Sequence, residues 1–175
     1  MSKVIHMSLN ADSIDAAIKE IRDYAKWIER KAGELRERLA YFIAKDASAV
    51  FNSAVAEDDL VEGVITGSVD VTVDTQGENI TIVTANGTDA VFMEFGAGVY
   101  FNGDVGSSPN PWGADLKFVI GSYSSHKPDK EVWGYYGDDG QIHLTHGTPA
   151  SMPLYNAVQS VANDYVRIAK EVFSE

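Results

Sequence analysis

With 26 acidic against 14 basic residues in 175, the chain carries a net charge of −12, which disfavours sequence-independent binding to DNA or anionic lipid, since both require a basic surface. It contains no cysteine, so a disulfide framework, a thiolate nucleophile and Cys ligands for zinc are all excluded. Hydrophobic residues at 45% and charged residues at 23% are ordinary globular usage, and the length suits a single domain, residues 1–175, with its own core.

Charge is unevenly distributed. Residues 1–65 hold 9 Lys/Arg and 12 Asp/Glu, whereas residues 66–175 hold 5 and 14. Met1 to Asn10 lacks the long apolar stretch of a secretory signal. The most apolar uncharged run, Ala47 to Ala56, is too short to cross a bilayer. A soluble chain made in the cytoplasm is the expectation.

Val4 to Leu9 is a short apolar segment with the composition of an edge strand. Asp12 and Ser13 offer N-cap oxygens to a helical segment over residues 10–55. In it Ile14, Ala17, Ile18, Ile21, Tyr24, Ala25 and Ile28 recur at steps of three and four, and the stripe resumes after Gly33 as Leu35, Leu39, Phe42 and Ile43. Two helices or one helix kinked near Gly33 both fit, because glycine costs only about 1 kcal/mol relative to alanine in a helix.

From residue 67 to 146 the period becomes that of strands. Val69, Val71 and Val73 alternate with polar residues, Gln76-Gly77-Glu78 turns the chain, and Ile80 to Thr84 returns antiparallel. Ala90 to Phe95 fits either a strand or a single helical turn closing on Gly96. Residues 96–114, rich in Gly, Pro and Asn, read as one long loop. Phe118 to Ile120 and Glu131 to Tyr136 are strand-like. Asp138-Asp139-Gly140 supplies hairpin chemistry before Gln141 to Thr145. Ser151 is placed to cap a last helix over 151–173, with Pro153 in its first turn and a stripe of Leu154, Val158, Val161, Tyr165, Ile168 and Val172. The order predicts an α+β fold: a long N-terminal helical segment, a central antiparallel β-sheet and a C-terminal helix packed on the sheet.

Chemistry-bearing constellations are sparse. His143 and His146 are three apart, a spacing that can bind zinc on a helix, but strand alternation sends them to opposite faces and no HExxH pattern is present. Gly106-Ser107-Ser108 and Gly121-Ser122 lack the nucleophile-elbow spacing. Glu94 lies among Phe92, Met93 and Phe95, where a carboxylate serves as an anchored structural group or as a general acid. No catalytic, cofactor-binding or metal residue is assigned, and no enzymatic activity is expected. A metal-dependent hydrolase using His143 and His146 is one alternative, and a receptor- or glycan-binding module using loop aromatics is another.

Two sets of residues suit protein–protein contact. Lys19, Arg22, Lys26 and Arg30 share a helical face, which is either a solvated surface or an electrostatic contact with the acidic half of a neighbouring copy. Tyr100, Phe101 and Trp112 lie in the long loop, where aromatics serve as interface anchors or as ordinary packing.

Several segments together resemble the tail-completion or neck proteins at the head–tail junction of long-tailed bacteriophages. They are Ala90-Val91-Phe92-Met93-Glu94-Phe95-Gly96-Ala97-Gly98, Gly113-Ala114-Asp115-Leu116, Trp133-Gly134-Tyr135-Tyr136 and His143-Leu144-Thr145-His146-Gly147-Thr148-Pro149-Ala150 with the helix after it. The charged segment Lys26-Trp27-Ile28-Glu29-Arg30-Lys31 is similar too. The resemblance implies a non-enzymatic structural protein of a phage or prophage, made in the host cytoplasm and located in the virion. It further implies a homo-oligomeric ring that contacts other neck or tail proteins around the DNA channel, with DNA passing nearby and not bound specifically. No cofactor and no membrane partner are implied.

Overall fold

The computed structural model describes residues 4–53, 69–77, 79–87, 89–96, 100–101, 104–105, 110–115, 133–136, 139–145 and 150–174. The fold is α+β, with a long N-terminal helix, antiparallel strand pairs and a C-terminal helix. Val4 to Ser8 forms neither strand nor helix, so the edge strand expected there is absent.

Helix α1 runs without interruption from Ala11 to Ser53, about 64 Å at 1.5 Å per residue. Its cap is Asn10, two positions ahead of the nearer expected residue, Asp12. Asn10 Oδ1 accepts the Ser13 N–H at 2.8 Å, and Ser13 Oγ in turn accepts the Ser8 N–H at 2.8 Å. The chain does not break at Gly33, because packing spans it. Trp27 meets the ring of Phe173 edge-on at 5.8 Å on one side, and Arg38 pairs with Glu171 at 3.3 Å on the other. A Cβ at Gly33 would meet only the Arg36 guanidinium tip, at 3.9 Å.

The partners at residues 171 and 173 belong to α4, Pro153–Ser174, which lies antiparallel to α1. Leu35 of α1 and Val161, Ile168 and Val172 of α4 form one buried cluster, with Leu39, Phe42 and Phe173 against it. A second cluster joins Ala47 and Phe51 of α1 to Val69, Met93 and Ala157. Ile43 touches both, which makes the core continuous. Of the stripe expected on α4, Tyr165 faces outward at 47% exposure.

Strands β1 (Asp70–Gln76) and β2 (Ile80–Asn86) form an antiparallel hairpin through Gly77, whose φ of 63° suits glycine. The register sets Val71 opposite Ala85 and Val73 opposite Val83. Val71 and Ala85 pack on the second cluster, as does Leu154 from the first turn of α4, so the hairpin and the C-terminal helix share a core. At the far end of the hairpin Arg36 reaches Thr81 Oγ1 at 3.1 Å.

The ambiguous segment is helical: α2, Ala90–Phe95. It stops at Gly96, φ 82°, whose N–H bonds Phe92 O at 2.7 Å. The stretch read as one loop has internal structure. Strands β3 (Tyr100–Phe101) and β4 (Asp104–Val105) pair, and α3 covers Trp112–Asp115. Strands β5 (Trp133–Tyr136) and β6 (Ile142–Thr145) form the last hairpin. Among the described residues the strands make three two-stranded antiparallel ladders, and the C-terminal helix packs with the β1–β2 ladder. Phe118 to Ile120 lies outside the described residues.

Candidate assembly interface and the buried joint behind it

Helix α4 begins on a residue that cannot cap it. The Asn156 N–H bonds Met152 O at 2.9 Å, which makes Met152 the N-cap, and a methionine side chain offers no oxygen to the exposed helix N–H groups. Glu94 supplies both. Its Oε2 accepts the Leu154 N–H at 2.8 Å and its Oε1 the Tyr155 N–H at 3.0 Å. The carboxylate also sits at the positive end of the α4 dipole.

Asn110, 1% exposed, completes the joint. Its Nδ2 donates to Glu94 Oε1 at 2.7 Å and to Glu94 O at 3.2 Å, while its Oδ1 accepts the Trp112 N–H at 3.0 Å. Next to it, Met93 O accepts the Ser151 and Met152 N–H groups at 2.9 and 3.2 Å. Ser151 was expected to cap α4; its hydroxyl instead donates to Met93 O at 3.2 Å. Three segments far apart in sequence are thus tied through one buried acid and one buried amide. The acid in apolar company was visible in the sequence. Asn110 was missed, and its only local signal is the Asn110-Pro111 turn dipeptide.

Lys19, Arg22, Lys26 and Arg30 are all exposed on α1. Arg30 pairs with Glu34, which Lys31 also engages at 2.8 Å. These contacts hold the Glu34 carboxyl below its ordinary range, the Lys31 hydrogen bond contributing most. Tyr100 and Phe101 sit in β3, paired with Val105 and Asp104. Trp112 is half-buried at α3 and meets Tyr155 of α4 edge-on at 5.1 Å. The structure therefore uses Trp112 to brace the joint.

His143 Nε2 lies 3.0 Å from each oxygen of Asp139 across the β5–β6 turn. The Gln141 N–H, then the imidazole, hold the Asp139 carboxyl below its usual range. His146 lies outside the described residues. Among the described residues no group of three His, Cys, Asp or Glu side chains is arranged to hold a metal ion, and no helix is long and apolar enough to cross a membrane.

Among the described residues, the first half of α1 carries a row of exposed apolar side chains. Helix α4 ends at Ser174, next to Trp27, and residues 11–26 extend beyond it. Part of their stripe is left open: Ile14, Ile18 and Ile21 are 38%, 41% and 55% exposed, while Ala17 is buried. Val4, Met7 and Leu9 ahead of the helix are exposed as well. Exposed isoleucines in a row, beside a basic face, have the make-up of a protein-binding surface. Comparison with protein-family models, curated proteins and solved structures gives no match.

Proposed function

We propose that this chain is a non-enzymatic structural component of a bacteriophage virion, acting in tail completion or as a neck protein at the head–tail junction. It assembles there with copies of itself and with other neck or tail proteins around the DNA channel. The observation that carries the reading is the joint at Glu94. There α2, from one segment that carries the resemblance, meets the start of the helix that follows another, through Met93 O and the capped first turn of α4.

The chemistry of the joint supports an architectural role. Both oxygens of Glu94, the carboxylate best suited to acid chemistry, are engaged by N–H donors. The net charge of −12 lets DNA pass a surface without adhering to it. The exposed isoleucines on the first half of α1 provide a surface for assembly. Electron microscopy of particles produced without this protein tests the reading. Full heads accumulating beside separate tails is the expected result; normal virions in normal yield would overturn it.

A further inference from the structure

The open stripe on α1 is a coiled-coil seam, and we infer that a second copy of this chain occupies it, with the two N-terminal helix halves packed antiparallel. Ile14, Ile18, Ile21, Ala25 and Ile28 are spaced four, three, four and three apart. The same alternation continues through Ala32, Leu35, Leu39 and Phe42. A strict 3.5-residue period keeps one edge of a helix facing a partner along its length. From Leu35 onward that partner is α4. Before Trp27 the seam isoleucines stand exposed, while Ala17 on the adjoining face is buried. One seam thus has two halves, and among the described residues α4 fills only one.

The length and the charges select the occupant. In a register that layers Ile18 on the partner copy's Ile21, and Ile14 on its Ala25, residues 11–28 of each helix overlap fully, for about 27 Å. The incoming helix then runs in the direction of α4 and starts where α4 stops. Its N-terminus meets the carbonyl end of α4, a favourable alignment of dipoles. Asp15 and Arg22 lie seven residues apart on one side of the seam. In this register each Asp15 faces the other copy's Arg22, which gives two symmetric opposite-charge pairs. Neither residue is engaged in an ion pair among the described residues. Parallel pairing sets these positions apart and loses both contacts. The contact is isologous and closes at two copies. It concerns the free chain and stands or falls independently of a place in the virion.

Sedimentation velocity on the full-length chain tests this. A seam this short is at the small end of specific interfaces, so a reversible dimer with a Kd on the order of micromolar is expected. The double variant I18E/I21E should sediment as a monomer at the same concentrations with unchanged helical circular dichroism, because both side chains lie outside the chain's own core. Asp15→Arg alone should weaken the dimer about tenfold, and D15R/R22D should restore it. A monomer up to about 100 μM would overturn the pairing, as would any assembly that I18E/I21E leaves intact. Failure of D15R/R22D to restore what D15R loses would overturn the antiparallel register.

Discussion

Replacing Glu94 by alanine removes the acceptor for three donors at once: Asn110 Nδ2, the Leu154 N–H and the Tyr155 N–H. The residue is 4% exposed, so water does not readily take its place. A lost cap on an open helix costs about 0.5–2 kcal/mol, and each buried donor left unsatisfied costs about 1–3 kcal/mol. With partial relaxation, Glu94→Ala should destabilise the fold by about 3–5 kcal/mol. That is a large share of the roughly 5–15 kcal/mol available to a domain of this kind. Glu94→Gln keeps the shape and one acceptor oxygen, which can still serve Asn110 and Tyr155. Its new amide then faces the Leu154 N–H, donor against donor, so a cost of about 2 kcal/mol is expected. Urea denaturation followed by circular dichroism measures both, with unchanged slope as the sign that only stability has moved. The order wild type, Gln, Ala is the central expectation. If Glu94→Gln proved as stable as wild type, or if Glu94→Ala cost less than about 1 kcal/mol, the capping role argued for this acid would be wrong.

Gly33→Ala should stabilise the protein by about 0.5–1 kcal/mol in the same assay, since the helix is continuous there and the added methyl meets only a flexible arginine tip. Ile168→Ala, at a site 1% exposed between α1 and α4, should cost about 2–5 kcal/mol. Tyr165→Ala, one turn away and largely exposed, should change stability by no more than about 0.5 kcal/mol. The Asp139 carboxyl is depressed by the Gln141 N–H and His143. Its stabilisation of the β5–β6 turn is therefore fully present above the ordinary aspartate pKa of about 3.9 and is lost as the pH falls through the depressed folded value. A carboxyl-carbon NMR titration should place its midpoint below that of a free aspartate; a midpoint at or above it would remove the proposed contact.

Much of the fold was legible because it rests on local periodicity. The three- and four-residue steps of α1 and α4, the alternation at Val69 to Val73, and the turn residues Gly77 and Gly140 each follow from side-chain geometry over a few neighbouring residues. The boundaries were less secure. Ser151 has the right chemistry and nearly the right position for a cap, but the better acceptor arrives from residue 94, which no local rule can bring there. Tyr165 fits the stripe of α4 by spacing and lies outside the contact because α1 covers only part of that face.

The charge balance, the absence of cysteine, the helical and strand periods, and the location of the turns are properties of the chain read along its length. So is the basic row Lys19, Arg22, Lys26 and Arg30. Only the tertiary structure decided that α1 passes Gly33 unbroken, because α4 packs on both sides of it and outweighs a propensity deficit of about 1 kcal/mol. Only it united Glu94, Asn110 and the first turn of α4, since burial leaves helix N–H groups to find an acceptor wherever the fold brings one. It also decided where α4 ends against α1, and so which isoleucines of a uniform stripe are core and which remain open to a partner.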